Sequence, residues 1–203
     1  MISVLWFLFV FSLCFGEDHK FIGSPATFGA FRRVDGSPLA SKWVDGNPTE
    51  YLVTDIPGLV FAGYQGMFAV ITPALMTGAF ADRLRFAPYL VFIALWIIVV
   101  YAPFCHWIWG PAGWMGTWGV KDFAGGIVVH TTAGFSALAS VHFLGSRAKI
   151  LKGKPDSTPH NIPFVALGTA LLWFGWFGFN GGSALGSSGT AAFAAVNSEI
   201  AAR

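Results

Sequence analysis

A histidine inside an uncharged apolar run is the first chemical anomaly of this chain. Phe123 to Gly145 spans 23 residues with no Asp, Glu, Lys or Arg, long enough to cross a bilayer as a helix. His130 stands seven residues in, ~10 Å below one face at the helical rise. Imidazole takes up and returns a proton near neutral pH, and ionisable groups at such depth are costly and mark pathways or relays. Asp122 opens the run. Its simplest role is an N-cap, the carboxylate accepting from helix N–H groups and favoured by the helix dipole. Asp122, Gly126 and His130 recur at i, i+4 and i+8, which predicts one stripe along a helix beginning at Phe123. No metal triad, activated serine motif or paired catalytic carboxylate is visible, which argues against an intramembrane enzyme.

The elements that would hold these residues follow from composition. Of 203 residues, 55% are hydrophobic and 11% charged, against about 25% charged in ordinary soluble domains. That excludes a soluble globule and predicts an all-α, polytopic transmembrane helical bundle of five to six helices, with the lipid bilayer as solvent. A net charge of +2 gives no footprint for nucleic acid. Cys14 and Cys105 both lie in apolar runs and read as packing residues rather than a disulfide or metal pair. Spans are expected at Ile2–Phe15, Pro57–Phe80, Phe86–Trp109, Phe123–Gly145 and Ile162–Gly182, with another from Leu185. The first, 14 residues, is short of the ~20 a crossing needs. It is either the end of a longer helix or a signal peptide, although Met1-Ile2-Ser3 supplies no positive n-region.

Lysine and arginine in short loops set orientation. Arg83 and Arg85 follow the second span, and Arg147, Lys149, Lys152 and Lys154 follow the fourth, whereas Gly110–Asp122 holds only Lys121. Arg83 and Lys149 are therefore expected in the cytoplasm and Asp122 outside. Gly16–Ile56, also external, reads as an ordered loop rather than a separate domain. Trp6, Trp96, Trp107, Trp109, Trp114 and Trp118 are near span ends or in the outer loop, and most are expected in an interfacial belt. Gly178, Gly182 and Gly186 recur every four residues, a spacing that permits close helix approach in lipid. His142 is expected to snorkel near Arg147, His106 to lie at the outer end among tryptophans, and His19 and His160 in loops.

Placed by depth, several residues can face one external funnel. Phe68 lies ~17 Å along the second span with Tyr64 one turn above on the same face. Trp109 ends the third span outside, and Phe179 and Ser183 lie near the outer end of the fifth. Aromatic faces attract a small cation by ~0.5–2 kcal/mol per ring, and a hydroxyl accepts from an N–H donor. Metal ions prefer carboxylates and carbonyls, so a cation with N–H donors suits this set better. Below the rings stand His130 and apolar residues. A bare ion would lose tens of kcal/mol of hydration there in the Born limit; releasing a proton and passing on a neutral molecule is cheaper.

These motifs resemble the ammonium transporter family (Amt/Mep/Rh), the Amt branch more than the Rh branch. The likeness rests on Phe15-Gly16-Glu17, on Gln65-Gly66-Met67-Phe68-Ala69-Val70-Ile71-Thr72-Pro73-Ala74-Leu75, and on Gly78-Ala79-Phe80-Ala81-Asp82-Arg83. It continues through Asp122-Phe123-Ala124-Gly125-Gly126 with Val128-Val129-His130, and through Gly175-Trp176-Phe177-Gly178-Phe179-Asn180-Gly181-Gly182-Ser183. The resemblance implies an ammonium-transporter-like fold, with inverted five-helix repeats in the complete protein, a trimer with a pore in each subunit, and a multi-pass cell-membrane location without cofactors. It implies recruitment of ammonium at Phe68, Trp109 and Ser183, a gate of Phe68 and Phe179, a pore relay at His130, support from Asp122 and a vestibule aromatic at Tyr64.

The chain starts at the family's second helix and stops early in its seventh, so it is expected to be part of a longer membrane domain whose second pore histidine is elsewhere. The outer loop Gly110–Asp122 is about one residue longer than in common members. A PII-type cytoplasmic regulator is a further implied partner, with Arg147–Asp156 a possible contact, although a positive-inside loop needs no such explanation. The alternative to transport is an ammonium sensor coupled to a cytoplasmic signalling partner.

Overall fold

The computed structural model describes residues 1–17, 20–147 and 160–201. His19 and Lys149, Lys152 and Lys154 of the basic loop lie outside the described residues. The chain forms two compact units, Met1–Ser146 and Arg147–Arg203. Among the described residues the regular structure is helical apart from one hairpin, and four helices are long and apolar enough to cross a membrane: Gly58–Phe80, Phe86–Thr117, Gly126–Leu144 and Ile162–Gly182.

In the first unit, α1 is Ile2–Phe15, with a π turn at Trp6–Val10. The stretch expected as an ordered loop contains more structure than that. Helix α2, Pro25–Phe28, starts at a proline behind Ser24, whose hydroxyl accepts from Ala26 N–H, the favoured chemistry for a first turn. Strands β1 (Ala40–Val44) and β2 (Asn47–Tyr51) pair antiparallel. Asp45-Gly46 joins them with φ of 51° and 82°, the two left-handed residues of a tight hairpin turn. Ser12 ties this region to α1: its Oγ donates to Ser24 O at 2.6 Å and accepts from Phe28 N at 2.8 Å.

Helices α3 (Gly58–Leu75) and α4 (Thr77–Phe80) follow. Helix α5 covers 86–109 and is interrupted by a π turn at Ile97–Tyr101. A short α6 is Trp114–Thr117, and α7 is Gly126–Leu144. The expected start at Phe123 is corrected here: Gly125 has φ of +95°, a left-handed conformation no helix contains. Asp122 thus stands outside the helix, and the i, i+4, i+8 stripe does not exist as drawn. The second unit holds α8 (Ile162–Gly182) and α9 (Gly189–Ala201). Leu185, at φ of 54°, cannot open α9, so that helix begins four residues later than expected.

The core of the first unit is aromatic. Phe11, Phe15, Phe28 and Phe61 are buried, with Phe11–Phe28 and Phe15–Phe61 centroids 5.3 and 5.0 Å apart. Two tryptophans expected in the belt belong to this interior. Trp6 is 4% exposed and donates to Ala62 O at 3.0 Å; it lies against Gly66, where a Cβ would stand 3.0 Å from Nε1. Trp96 is equally enclosed and donates to Ser136 Oγ at 2.9 Å. In each case a satisfied indole N–H permits burial. His106 is likewise interior, its Nδ1 2.9 Å from Cys14 O. Cys14 and Cys105 are both free and buried.

Candidate functional site

The site in the first unit is organised by Asp122. Its Oδ1 accepts from Gly125 N and Gly126 N at 2.7 and 2.8 Å, and its Oδ2 from Ile127 N and Val128 N at 2.8 and 2.9 Å. A helix start leaves four N–H groups without intrahelical partners, and one carboxylate takes all four here. Four accepted bonds also use the four lone-pair positions a carboxylate offers. Asp122 thus caps the start of α7 with both carboxylate oxygens.

The same residue fixes Trp109. Its indole Nε1 donates to Asp122 O at 2.8 Å, so the end of α5 is tied to the start of α7. Trp109 meets Phe68 with centroids 5.5 Å apart at 80°, and Phe68 meets Tyr64 at 5.1 Å and 75°. Both are edge-to-face arrangements, the preferred geometry for aromatic quadrupoles. Phe68 is 2% exposed, and three rings from two helices form one continuous wall.

Gly125 is the residue whose role the sequence reading did not isolate. Its φ of +95° suits glycine, and a Cβ there would stand 2.7 Å from Val129 Cγ2 and 3.5 Å from Phe68 Cδ1. Glycine thus lets the loop after Asp122 close onto the Val129 side chain. The Gly125-Gly126 pair near the start of the apolar run was the available signal.

His130 lies in the π turn Gly126–Thr131 that opens α7, its N–H bonded to Gly125 O at 3.0 Å. It is exposed on the first unit. π turns occur often at functional positions; this one starts directly behind the Asp122 cap and makes His130 the fifth residue of α7.

In the second unit, Ser183 Oγ donates to Phe179 O at 2.7 Å. With its hydrogen directed to that carbonyl, the hydroxyl presents oxygen as an acceptor. Phe179 stacks on Trp176 at 4.5 Å with planes 9° apart. Trp176 is thus a ring neighbour of Phe179 that sequence reading did not single out; its i, i+3 spacing to Phe179 was the signal. The structure therefore brings together Tyr64, Phe68, Trp109 and Asp122 within one unit, and Phe179 and Ser183 within the other.

Of the α8 glycines, Gly181 rather than Gly178 faces α9. A Cβ on Gly178 would meet nothing within 4 Å among the described residues, whereas one on Gly181 would meet Ala191 O at 3.4 Å and Ala195 Cβ at 3.5 Å. Close approach of α8 and α9 is thus at Gly181.

Comparison with known proteins agrees with this architecture. An ammonium transporter of Bacillus subtilis is 42% identical over 202 residues, covering 100% of this chain and 46% of that protein. The crystal structure of Candida albicans Mep2 superposes with a TM-score of 0.83 at 37% identity, covering 99% of this chain and 42% of that one. A structure described as a sensor Amt protein matches with a TM-score of 0.77 at 32% identity, covering 99% and 48% respectively. The chain thus spans less than half the length of these relatives, which are named as transporters or sensors rather than enzymes. Its helices and its relatives make it part of a multi-pass membrane protein. The profile of the Ammonium Transporter Family matches residues 1–203, and the chain belongs to that family.

Proposed function

We propose that the full-length protein carrying this sequence moves ammonium or ammonia across the cell membrane through a hydrophobic pore. The observation that carries the reading is the wall of Tyr64, Phe68 and Trp109, held against Asp122 by the Trp109 indole bond and the fourfold cap. Its rings attract a small cation by ~0.5–2 kcal/mol each. A nearby carboxylate already saturated by N–H groups adds negative potential without trapping the ion.

In this reading Ser183 adds a hydroxyl acceptor to the external site, and Phe68 and Phe179 form the gate beneath it. His130 handles the proton as the neutral molecule enters the apolar path. Residues 1–203 form one part of a larger membrane domain, in subunits that assemble as a homotrimer. A PII-type regulator is the proposed cytoplasmic partner; of its contact Arg147–Asp156, only Arg147 is among the described residues.

Uptake of radiolabelled methylammonium by cells expressing the full-length protein tests this. The wild type accumulates it in competition with ammonium, and His130→Asp abolishes or alters uptake. Wild-type behaviour of that variant sinks the relay role.

A sensor function is the second reading, favoured by the likeness to the sensor Amt protein. It predicts a signalling phenotype that survives loss of transport in the same His130→Asp strain.

A further inference from the structure

Gln65 carries an acceptor that the fold leaves unused. Its side-chain oxygen, Oε1, is buried with no hydrogen-bond partner among the described residues, and the residue as a whole is 7% exposed. Buried polar atoms are nearly always paired, and an exception points to strain, to a role in function or to a small molecule that belongs there. Gln65 stands inside α3, away from both ends and with ordinary backbone angles, so strain does not account for it. The oxygen is already enclosed. A further helix of the complete protein therefore does not reach it in this conformation, whereas a small donor admitted by a local movement does.

The position of Gln65 says which movement and which donor. It follows Tyr64 directly and precedes Phe68 by three residues, a neighbour of the aromatic wall on the helix surface. Phe68 meets Tyr64 at 5.1 Å, so its ring leans back over the turn that holds Tyr64 and Gln65, as long side chains on helices do. On the α1 side, the Trp6 indole is bonded to Ala62 O and lies against Gly66. The Phe68 ring is thus the cover on the side of the wall, and its role as a gate requires it to move. The wall itself offers π faces. The Asp122 carboxylate and main-chain oxygen beside it already accept from four amides and the Trp109 indole. Gln65 supplies what these lack, a neutral oxygen not already engaged.

We propose that Gln65 is a further substrate-binding residue of the external site: as the Phe68 ring turns aside, Gln65 Oε1 accepts an N–H of ammonium. This assignment rests on the transport reading above. A bond from a charged donor is about twice as strong as a neutral one, so ammonium suits the enclosed oxygen better than water does. The same difference gives release. Once the ion has lost its proton, neutral ammonia holds the amide oxygen only by an ordinary hydrogen bond.

Uptake kinetics and thermal unfolding of the full-length protein test this with Gln65→Met, close in length and shape but without the amide. Removing a buried atom that has no partner leaves stability equal or higher, so the melting temperature without ammonium should be at or above that of the wild type. Half-saturation by methylammonium should rise about fivefold to tenfold with the maximal rate retained. Gln65→Glu, which keeps an acceptor, should bring it back toward the wild-type value. A merely structural amide predicts the reverse split, a lower melting temperature with half-saturation unchanged. Unchanged half-saturation in Gln65→Met overturns the proposal at any melting temperature, and a raised value that Gln65→Glu does not restore overturns it too. The rise in melting temperature with ammonium chloride, against sodium chloride, reads binding without transport. A wild type that takes up no methylammonium overturns the transport reading. In that case a weaker ammonium-dependent rise in Gln65→Met than in the wild type still supports the site, and an equal rise overturns it.

Discussion

The two units solve the problem of placing polar groups among apolar helices in opposite ways. Among the described residues of Met1–Ser146, the polar atoms around the aromatic wall are drawn inward and matched, although Gln65 Oε1 and Tyr101 OH are buried without a hydrogen-bond partner: Trp6, Trp96 and Trp109 each donate to a named oxygen, and Asp122 closes four amides. In the second unit no described residue is buried, and Phe164, Leu171, Phe174 and Phe177 all turn outward from α8. Among its described residues, polar contacts at Trp173 and Asn180 link the helix pair. The aromatic wall is therefore preorganised within its own unit, whereas the Phe179–Ser183 end draws on a helix whose apolar surface is uncovered within its own unit.

The largest effect expected from this contrast is at Asp122. Replacing it by alanine leaves four helix-start amides without their shared acceptor and loosens the loop whose main-chain oxygen at position 122 holds Trp109. Bonds to a charged acceptor contribute about 1.5–3 kcal/mol each; with water reclaiming part of that, a loss of about 3–5 kcal/mol is expected. Thermal unfolding of the full-length protein in detergent measures it. A melting transition near that of the wild type would mean the cap holds nothing together.

Gly125→Ala comes next. A residue with a Cβ costs about 1–2 kcal/mol in this left-handed conformation, and the 2.7 Å approach to Val129 Cγ2 forces a side chain or the loop to move. Together about 2–3 kcal/mol is expected, with weakened methylammonium uptake because the loop that must move also carries Asp122, whose main-chain oxygen holds Trp109. Full stability in this variant would show that the loop tolerates another conformation.

At the site itself the expected changes are smaller and concern affinity. Trp109→Phe removes the bond to Asp122 O and weakens the cation–ring attraction, together ~1–2 kcal/mol, or about tenfold in half-saturation. Ser183→Ala removes one acceptor, ~1 kcal/mol or about fivefold. Uptake kinetics of both variants rank the two contributions; a larger defect for Ser183→Ala would reverse the assignment of the preorganised wall as the principal site.

How much of this was legible in the chain depended on range. The spans at 58–80, 86–109 and 162–182 follow from apolar length alone, because lipid demands it. Boundaries failed where one backbone conformation decided them. Gly125 and Leu185 take positive φ, and nothing in hydropathy marks that. The hairpin at Asp45-Gly46 had a local signal, a turn dipeptide between strand-forming residues, masked by the length of the surrounding loop. Trp6 and Trp96 read as belt residues because sequence shows an indole near a helix end, not the carbonyl or hydroxyl that lets it go inside. Asp122 was legible as a cap; that its main-chain oxygen also holds Trp109 depends on two helices meeting.

The smallest effect separates two accounts of the glycines in α8. Spacing alone makes Gly178 a point of close helix contact, yet a Cβ there meets open space within its unit, and the contact is at Gly181. Alanine is the better helix former by about 0.5–1 kcal/mol. Gly178→Ala is therefore expected to be neutral or slightly stabilising in thermal unfolding of the full-length protein, whereas Gly125→Ala is damaging. If Gly178→Ala instead destabilises as strongly as Gly125→Ala, another helix must occupy that face, and the outward surface of α8 is as tightly specified as the wall around Phe68.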